Sequence, residues 1–158
     1  MALTTEFLDA VAKAGDRSSG PLIIPCPMPG NLGAFVPFST FAEWRRLVLD
    51  LGLRRTVPDI VAMKFERSQK LHLLAWIDYD LVMAAELVAM TALELALKDR
   101  YLGKERVRRG KMLAEKVRKE NREATKRETR AANSVSFTEL LDYMVRYDGL
   151  TDDKVPMN

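Results

Sequence analysis

Apolar residues recur at helical spacing along most of this chain. From Asp59 to Leu102 there is neither glycine nor proline, and the stretch is dense in Leu, Ala, Met and Val. Such a pattern predicts helix buried on several sides. At ~1.5 Å per residue, a single helix of that length would be longer than a small domain is wide. A break is therefore expected near Glu66 to Gln69. It would leave a central helix of about 30 residues around Leu71 to Leu102, ended by Gly103.

The flanking pattern is shorter in period and richer in punctuation. Thr4 or Thr5 can cap a first helix with Phe7, Leu8, Val11 and Ala12 on one face and Gly15 as its stop. Five prolines (Pro21, Pro25, Pro27, Pro29, Pro37) then make Gly15 to Phe38 a connector, because proline removes donors and fixes φ. Within it Leu22-Ile23-Ile24 suits a short extended piece, and Ile23, Ile24, Phe35 and Phe38 are expected to anchor the connector on the core. Thr40 and Glu43 have the spacing of a capping box, opening a helix with Trp44, Leu47, Val48 and Leu51 inward and Gly52 at its end. Arg54 to Pro58 is a boundary, with Pro58 suited to a helix start. A second capping box, Ser136 and Glu139, precedes Leu140, Leu141, Met144 and Tyr147, with Gly149 as C-terminal cap. Thr151-Asp152-Asp153 reads as the start of one more helix, cut off by Pro156.

Charge changes this picture more than composition does. Lys104 to Arg130 holds twelve Lys and Arg against five Glu, a net of +7, whereas the remainder holds 13 basic against 17 acidic residues. The high isoelectric point thus belongs to one segment. Its apolar positions Val107, Leu113, Ala114, Val117 and Ala124 make a thin seam that Gly110 interrupts, so a protruding helical hairpin or a partly disordered stretch is expected. No secretory leader is visible, and acidic residues interrupt every window a membrane span would need. A single cysteine, Cys26, leaves no internal disulfide and no cysteine zinc cluster. A soluble, cytoplasmic protein without cofactor or metal is the expectation.

Candidate chemistry is sparse. Arg67 and His72 have the Arg-x-x-x-x-His spacing of metal-independent RNases, in which they would supply charge stabilisation and acid/base function. Asp78, Glu86 and Glu94 recur every eight residues, which rotates them ~80° apart, so they spiral instead of sharing a face. They are expected to pair with arginine or cap backbone. The basic segment offers phosphate contact through Arg106, Arg108, Arg109, Lys111, Arg118, Lys119, Arg122, Lys126 and Arg127. No aromatic residue lies between Tyr101 and Phe137, so base stacking is not offered from within it, and binding should tolerate any sequence.

The run Leu73-Leu74-Ala75-Trp76-Ile77-Asp78-Tyr79-Asp80, continued by Ala85 to Leu97 and Arg100-Tyr101, resembles the core helix of bacterial HEPN-like proteins. Phe137 to Leu141 followed by Asp148 to Asp152 resembles that group's next helix and turn. The resemblance covers Pro58 to Pro156, with the basic stretch as an insertion. It implies a four- to five-helix bundle, commonly dimeric, with metal-independent RNase activity in many members. The group's Arg-polar-x-x-x-His motif would fall after Asn158, and Arg67 to His72 precedes the core helix, so the catalytic role does not transfer. A truncated member and a non-catalytic derivative are both expected readings.

The expectation is thus an all-α fold, a small helical bundle around one long central helix. Residues 1–57 pack as N-terminal helices and connector on an HEPN-like core of residues 58–158 with a basic insertion at 104–130. The chain is expected to self-associate, to contact RNA or another polyanion, and not to cleave RNA efficiently by itself. The alternatives are an RNase using Arg67 and His72, and an adaptor whose charged helix binds an acidic protein.

Overall fold

The computed structural model describes residues 4–14, 20–26, 30–53 and 56–148. Its elements in chain order are α1 (Thr5–Lys13), β1 (Leu22–Pro25), β2 (Phe35–Phe38), α2 (Phe41–Asp50), α3 (Asp59–Leu74), α4 (Leu81–Lys119), α5 (Lys126–Asn133) and α6 (Phe137–Asp148). The fold is all-α but for one two-stranded hairpin. Two compact units, Met1–Ala92 and Leu93–Asn158, meet inside α4. The expected stops at Gly15 and Gly149, the boundary residues Arg54 and Arg55, and the helix at Thr151 lie outside the described residues.

In the first unit, Thr4 caps α1 through its side chain and Thr40 with Glu43 forms the capping box of α2. Leu22-Ile23-Ile24 is extended as expected and pairs antiparallel with Phe35–Phe38, Leu22 opposite Phe38 and Ile24 opposite Val36. Alternation along the strands decides which residues anchor the connector. Leu22, Phe38, Ile24 and Val36 face the core, while Ile23 and Phe35, two of the four expected anchors, are exposed. The core gathers Leu8, Leu22, Phe38, Trp44, Val48, Leu73 and Trp76. Phe38 meets Trp44 edge-on at 5.0 Å between centroids, and the Trp44 indole donates to the carbonyl of His72 at 2.6 Å. Leu47 and Leu51, placed inward by helical spacing, are exposed.

The expected break at Glu66 to Gln69 is not there. Those residues are helix formers inside α3, and the chain leaves the helix at residues 75–80 instead. Here the Asp78 carboxylate accepts from the N–H of Asp80 and the Asp78 carbonyl from Leu81. This Asx turn gives the backbone an alternative to helical bonding. Nor does Gly103 end the central helix. Gly103 and Gly110 both lie within α4, each costing about 1 kcal/mol relative to alanine. The stop comes at Asn121, whose φ of 48° is left-handed. Arg122 N–H reaches back to the Val117 carbonyl there, the 6→1 bond of a Schellman motif.

The second unit is built on an i, i+4 row of α4. Leu97 and Tyr101 pack with Leu140 of α6 and are joined by Val135, Phe137, Leu141, Tyr143 and Met144. One turn on, the row continues with Glu105, which is as buried as its apolar neighbours. The charged segment is thus helical, comprising the end of α4, a turn, and α5. A third capping box, Thr125 with Glu128, opens α5; in the sequence it is submerged in the charge run.

Candidate nucleic-acid interface

The nine cations of the basic segment do not form one patch. Four of them bond within the chain. Arg108 grips the buried carboxylate of Glu105 with two hydrogen bonds, at 2.7 and 2.6 Å. Arg109 also donates to Glu105, at 3.0 Å, then reaches the carbonyl of Ser134 at 2.9 Å and the carboxylate of Glu139. Arg106 donates to the carbonyl of Asn133. Arg122 binds Glu128 twice, at 2.8 and 2.6 Å, beside Lys116 at 3.6 Å. Glu128 and Glu139 are each the capping-box acid of their helix, so each fixes a helix start and receives an arginine with one carboxylate.

These pairs set the local acidity. Hydrogen bonding from Arg108 holds the Glu105 carboxyl below its ordinary 4.5 although burial pushes the other way, and Arg109 adds to the effect. The backbone and hydroxyl of Ser136, then Arg109, do the same for Glu139. Arg122, with Thr125, holds the Glu128 carboxyl far below the usual range.

The remaining cations are exposed and make no ion pair among the described residues: Lys111, Arg118, Lys119, Lys126 and Arg127. At ~100° per residue, Lys104, Lys111 and Arg118 fall within ~40° of one another, with ~10 Å between successive members along the axis. Lys104 also lies 5.9 Å from the Tyr101 ring centroid. Arg106, Arg109 and Lys116, which hold α5, stand ~140–160° away from Lys111 on the helix. The row of Lys104, Lys111 and Arg118 is exposed and lies on a face of α4 turned away from the residues that hold α5, while Leu97, which packs on α6, is ~20° from Lys104 around the axis. Glu115 is the one acid within that face. On α5, Lys126 and Arg130 lie ~160° from the inward Glu128, on a surface separate from the α4 row. Lys104 and Arg130 become visible as surface cations only once the pairing of the others is known.

The RNase candidates are not brought together. Arg67 and His72 sit five residues apart on the continuous helix α3, ~140° around its axis. Arg67 is exposed, whereas His72 is half-buried beside Trp44, with Nδ1 3.0 Å from the Ser68 carbonyl and 3.3 Å from its hydroxyl. Burial lowers the imidazole below its ordinary 6.5, partly offset by the Ser68 carbonyl and by Glu86. A depressed histidine contributes stability above its unfolded value and loses it as pH falls through the folded one. As the chain's single histidine, His72 should give one imidazole proton resonance in an NMR titration with a midpoint below 6.5. A midpoint at or above 6.5 would place the ring in solvent instead.

Of the three spiralling carboxylates, Glu94 pairs with Lys98 at 2.6 Å, Glu86 is exposed, and Asp78 serves the turn described above. No group of three or more His, Cys, Asp or Glu side chains among the described residues is placed to hold a metal ion. A cleft of about 410 Å³ between the end of α2 and α3 is lined by Leu49, Leu51, Phe65, Glu66 and Gln69 among others, with no cation among the described residues of its lining. No helix among the described residues is long and apolar enough to cross a membrane. Compared with known proteins, the chain matches no family model, no curated protein and no solved structure.

Proposed function

We propose that this chain is an HEPN-like helical module without a complete nuclease site, acting by self-association and by sequence-tolerant contact with RNA in the cytoplasm. The observation that carries the RNA reading is the exposed row Lys104, Lys111 and Arg118 along α4. Charges bound to internal carboxylates are less available to a ligand, but these three make no ion pair among the described residues and are spaced along one helix. Phosphate contact of this kind releases counterions, so affinity falls with salt and depends little on base identity. The test is fluorescence anisotropy with a single-stranded RNA from ~50 to ~200 mM salt. Salt-sensitive binding supports the reading. Absence of binding at low salt, with capture of an acidic polypeptide instead, favours the adaptor.

Self-association rests on a different observation in the first unit. Met83, Leu87 and Met90 are 70%, 71% and 50% exposed and follow the 4-then-3 spacing of a helix–helix seam. A second copy offers the same strip, and a twofold contact pairs like with like. Sedimentation at tens of micromolar should show a dimer that Leu87→Glu converts to monomer. A monodisperse parent monomer would end this part of the proposal. The separation of Arg67 from His72 gives the RNase alternative no support within one chain.

A further inference from the structure

Tyr101, Tyr143 and Tyr147 form a column in the second unit, with centroids 5.6 Å and then 4.5 Å apart. It runs from Tyr101, 3% exposed, to Tyr147, 57% exposed. Helical spacing on α6 places Tyr147 on the inward face, yet its ring packs on Tyr143 while the residue stays more than half exposed. Beside it lies a pocket of about 150 Å³ lined in part by Arg108, Asp142, Tyr143, Arg146 and Tyr147. Glu105, Arg109 and Glu139 also line it, so among the described residues three cations face three carboxylates with no net charge. Arg108 and Arg109 are bound to Glu105, and Glu139 to Arg109. Asp142 and Arg146 form no ion pair among the described residues and are exposed.

We infer that this pocket is a nucleobase subsite, in which one unstacked base extends the tyrosine column by lying on Tyr147. A phosphate would need excess positive charge, which the pocket lacks. A base is neutral and flat, and its edge carries both donors and acceptors. The Asp142 carboxylate can accept from an exocyclic amine, and Arg146 can donate to a ring nitrogen or carbonyl. The volume is below the ~300–1,000 Å³ of pockets for larger ligands, which limits the occupant to one ring system. Arg108 lies ~60° from Lys111 around α4, so the pocket borders the cationic row. A strand whose phosphates follow Lys104 and Lys111 can therefore turn a base into it. The ligand class is single-stranded nucleic acid, because a duplex keeps its bases in the stack. Aromatic residues absent from the basic segment are supplied to it by α6.

This inference rests on the reading of the α4 face as a phosphate contact, and the experiment separates the two. Binding of a single-stranded oligocytidylate of about 12 nucleotides is compared with that of an abasic oligomer of equal length and charge. The parent should prefer the oligocytidylate about tenfold, the scale of one stacked base. Tyr147→Ala should lose that tenfold and bind the abasic oligomer as the parent does, while Tyr147→Phe retains the preference. Circular dichroism checks that the exposed substitution leaves the fold intact. Equal binding of both oligomers by the parent, or an unchanged preference in Tyr147→Ala, overturns the subsite and leaves the phosphate reading standing. Binding of neither oligomer overturns both.

Discussion

Arg109→Ala is expected to destabilise the protein by about 3 kcal/mol, the cost of breaking a buried ion pair from one side. That corresponds to a fall of roughly 10 °C in thermal midpoint. Arg109 is the side chain on which α4, the α5–α6 connection and α6 converge, through Glu105, the Ser134 carbonyl and Glu139. Its loss leaves the Ser134 carbonyl and the Glu139 carboxylate without that donor and leaves buried Glu105 to Arg108 alone. Lys111→Ala removes the same charge from an exposed position and should fall within ~0.5 kcal/mol of the parent. The comparison isolates pairing from charge. It also depends on pH. The Glu105 and Glu139 carboxyls lie below their ordinary 4.5 in the folded state. The stability they contribute is therefore present above that value and is lost as pH falls through the folded values. The gap between parent and Arg109→Ala should narrow on acidification below that value. Equal thermal midpoints for Arg109→Ala and Lys111→Ala at neutral pH would contradict this account of the second unit.

Much of the architecture was legible because its signals are local. Thr40 with Glu43 and Ser136 with Glu139 announce helix starts by spacing alone, and both boxes form. The extended Leu22-Ile23-Ile24 could be read from its bounding prolines, but its partner Phe35–Phe38 could not, since pairing joins segments whose intervening residues carry no hairpin signature. Helix ends were less legible. Between Asp59 and Leu102 every residue tolerates helix, so the break depended on an Asx turn at Asp78, and the stop on one left-handed residue, Asn121. Glycine was a misleading signal here: Gly103 and Gly110 lie in α4 because packing of Tyr101, Glu105 and Arg109 outweighs their propensity.

The site was legible as charge and illegible as surface. Composition identifies Lys104 to Arg130 as cationic, yet which cations reach solvent depends on carboxylates and carbonyls brought by α5 and α6. Arg109 and Lys111 carry the same charge two residues apart, yet one is a clamp whereas the other makes no ion pair among the described residues. The same tertiary information puts Tyr143 and Tyr147 beside Arg108, a neighbourhood that a search for aromatics within the basic run cannot find. Deleting residues 104–130 would therefore remove the Glu105 and Arg109 anchors along with the exposed cations. Substitution at the exposed row alone is the cleaner probe.

The second large effect expected is on binding. Replacing Lys104, Lys111 and Arg118 together by glutamine should leave the thermal midpoint nearly unchanged, since none is in an ion pair among the described residues. Affinity for single-stranded RNA at low salt should nevertheless fall by an order of magnitude or more, because about three phosphate contacts and their counterion release are lost. Arg106→Gln, at a position bonded to the Asn133 carbonyl, should have a smaller effect on affinity.

The most direct test is the slope of log affinity against log salt for the parent and for this triple variant. Each phosphate contact on a single strand contributes about −0.7 to the slope. The parent slope should thus be steeper than that of the triple variant by about 2. Equal slopes would show that the exposed row of α4 makes no phosphate contact and would contradict the proposed function.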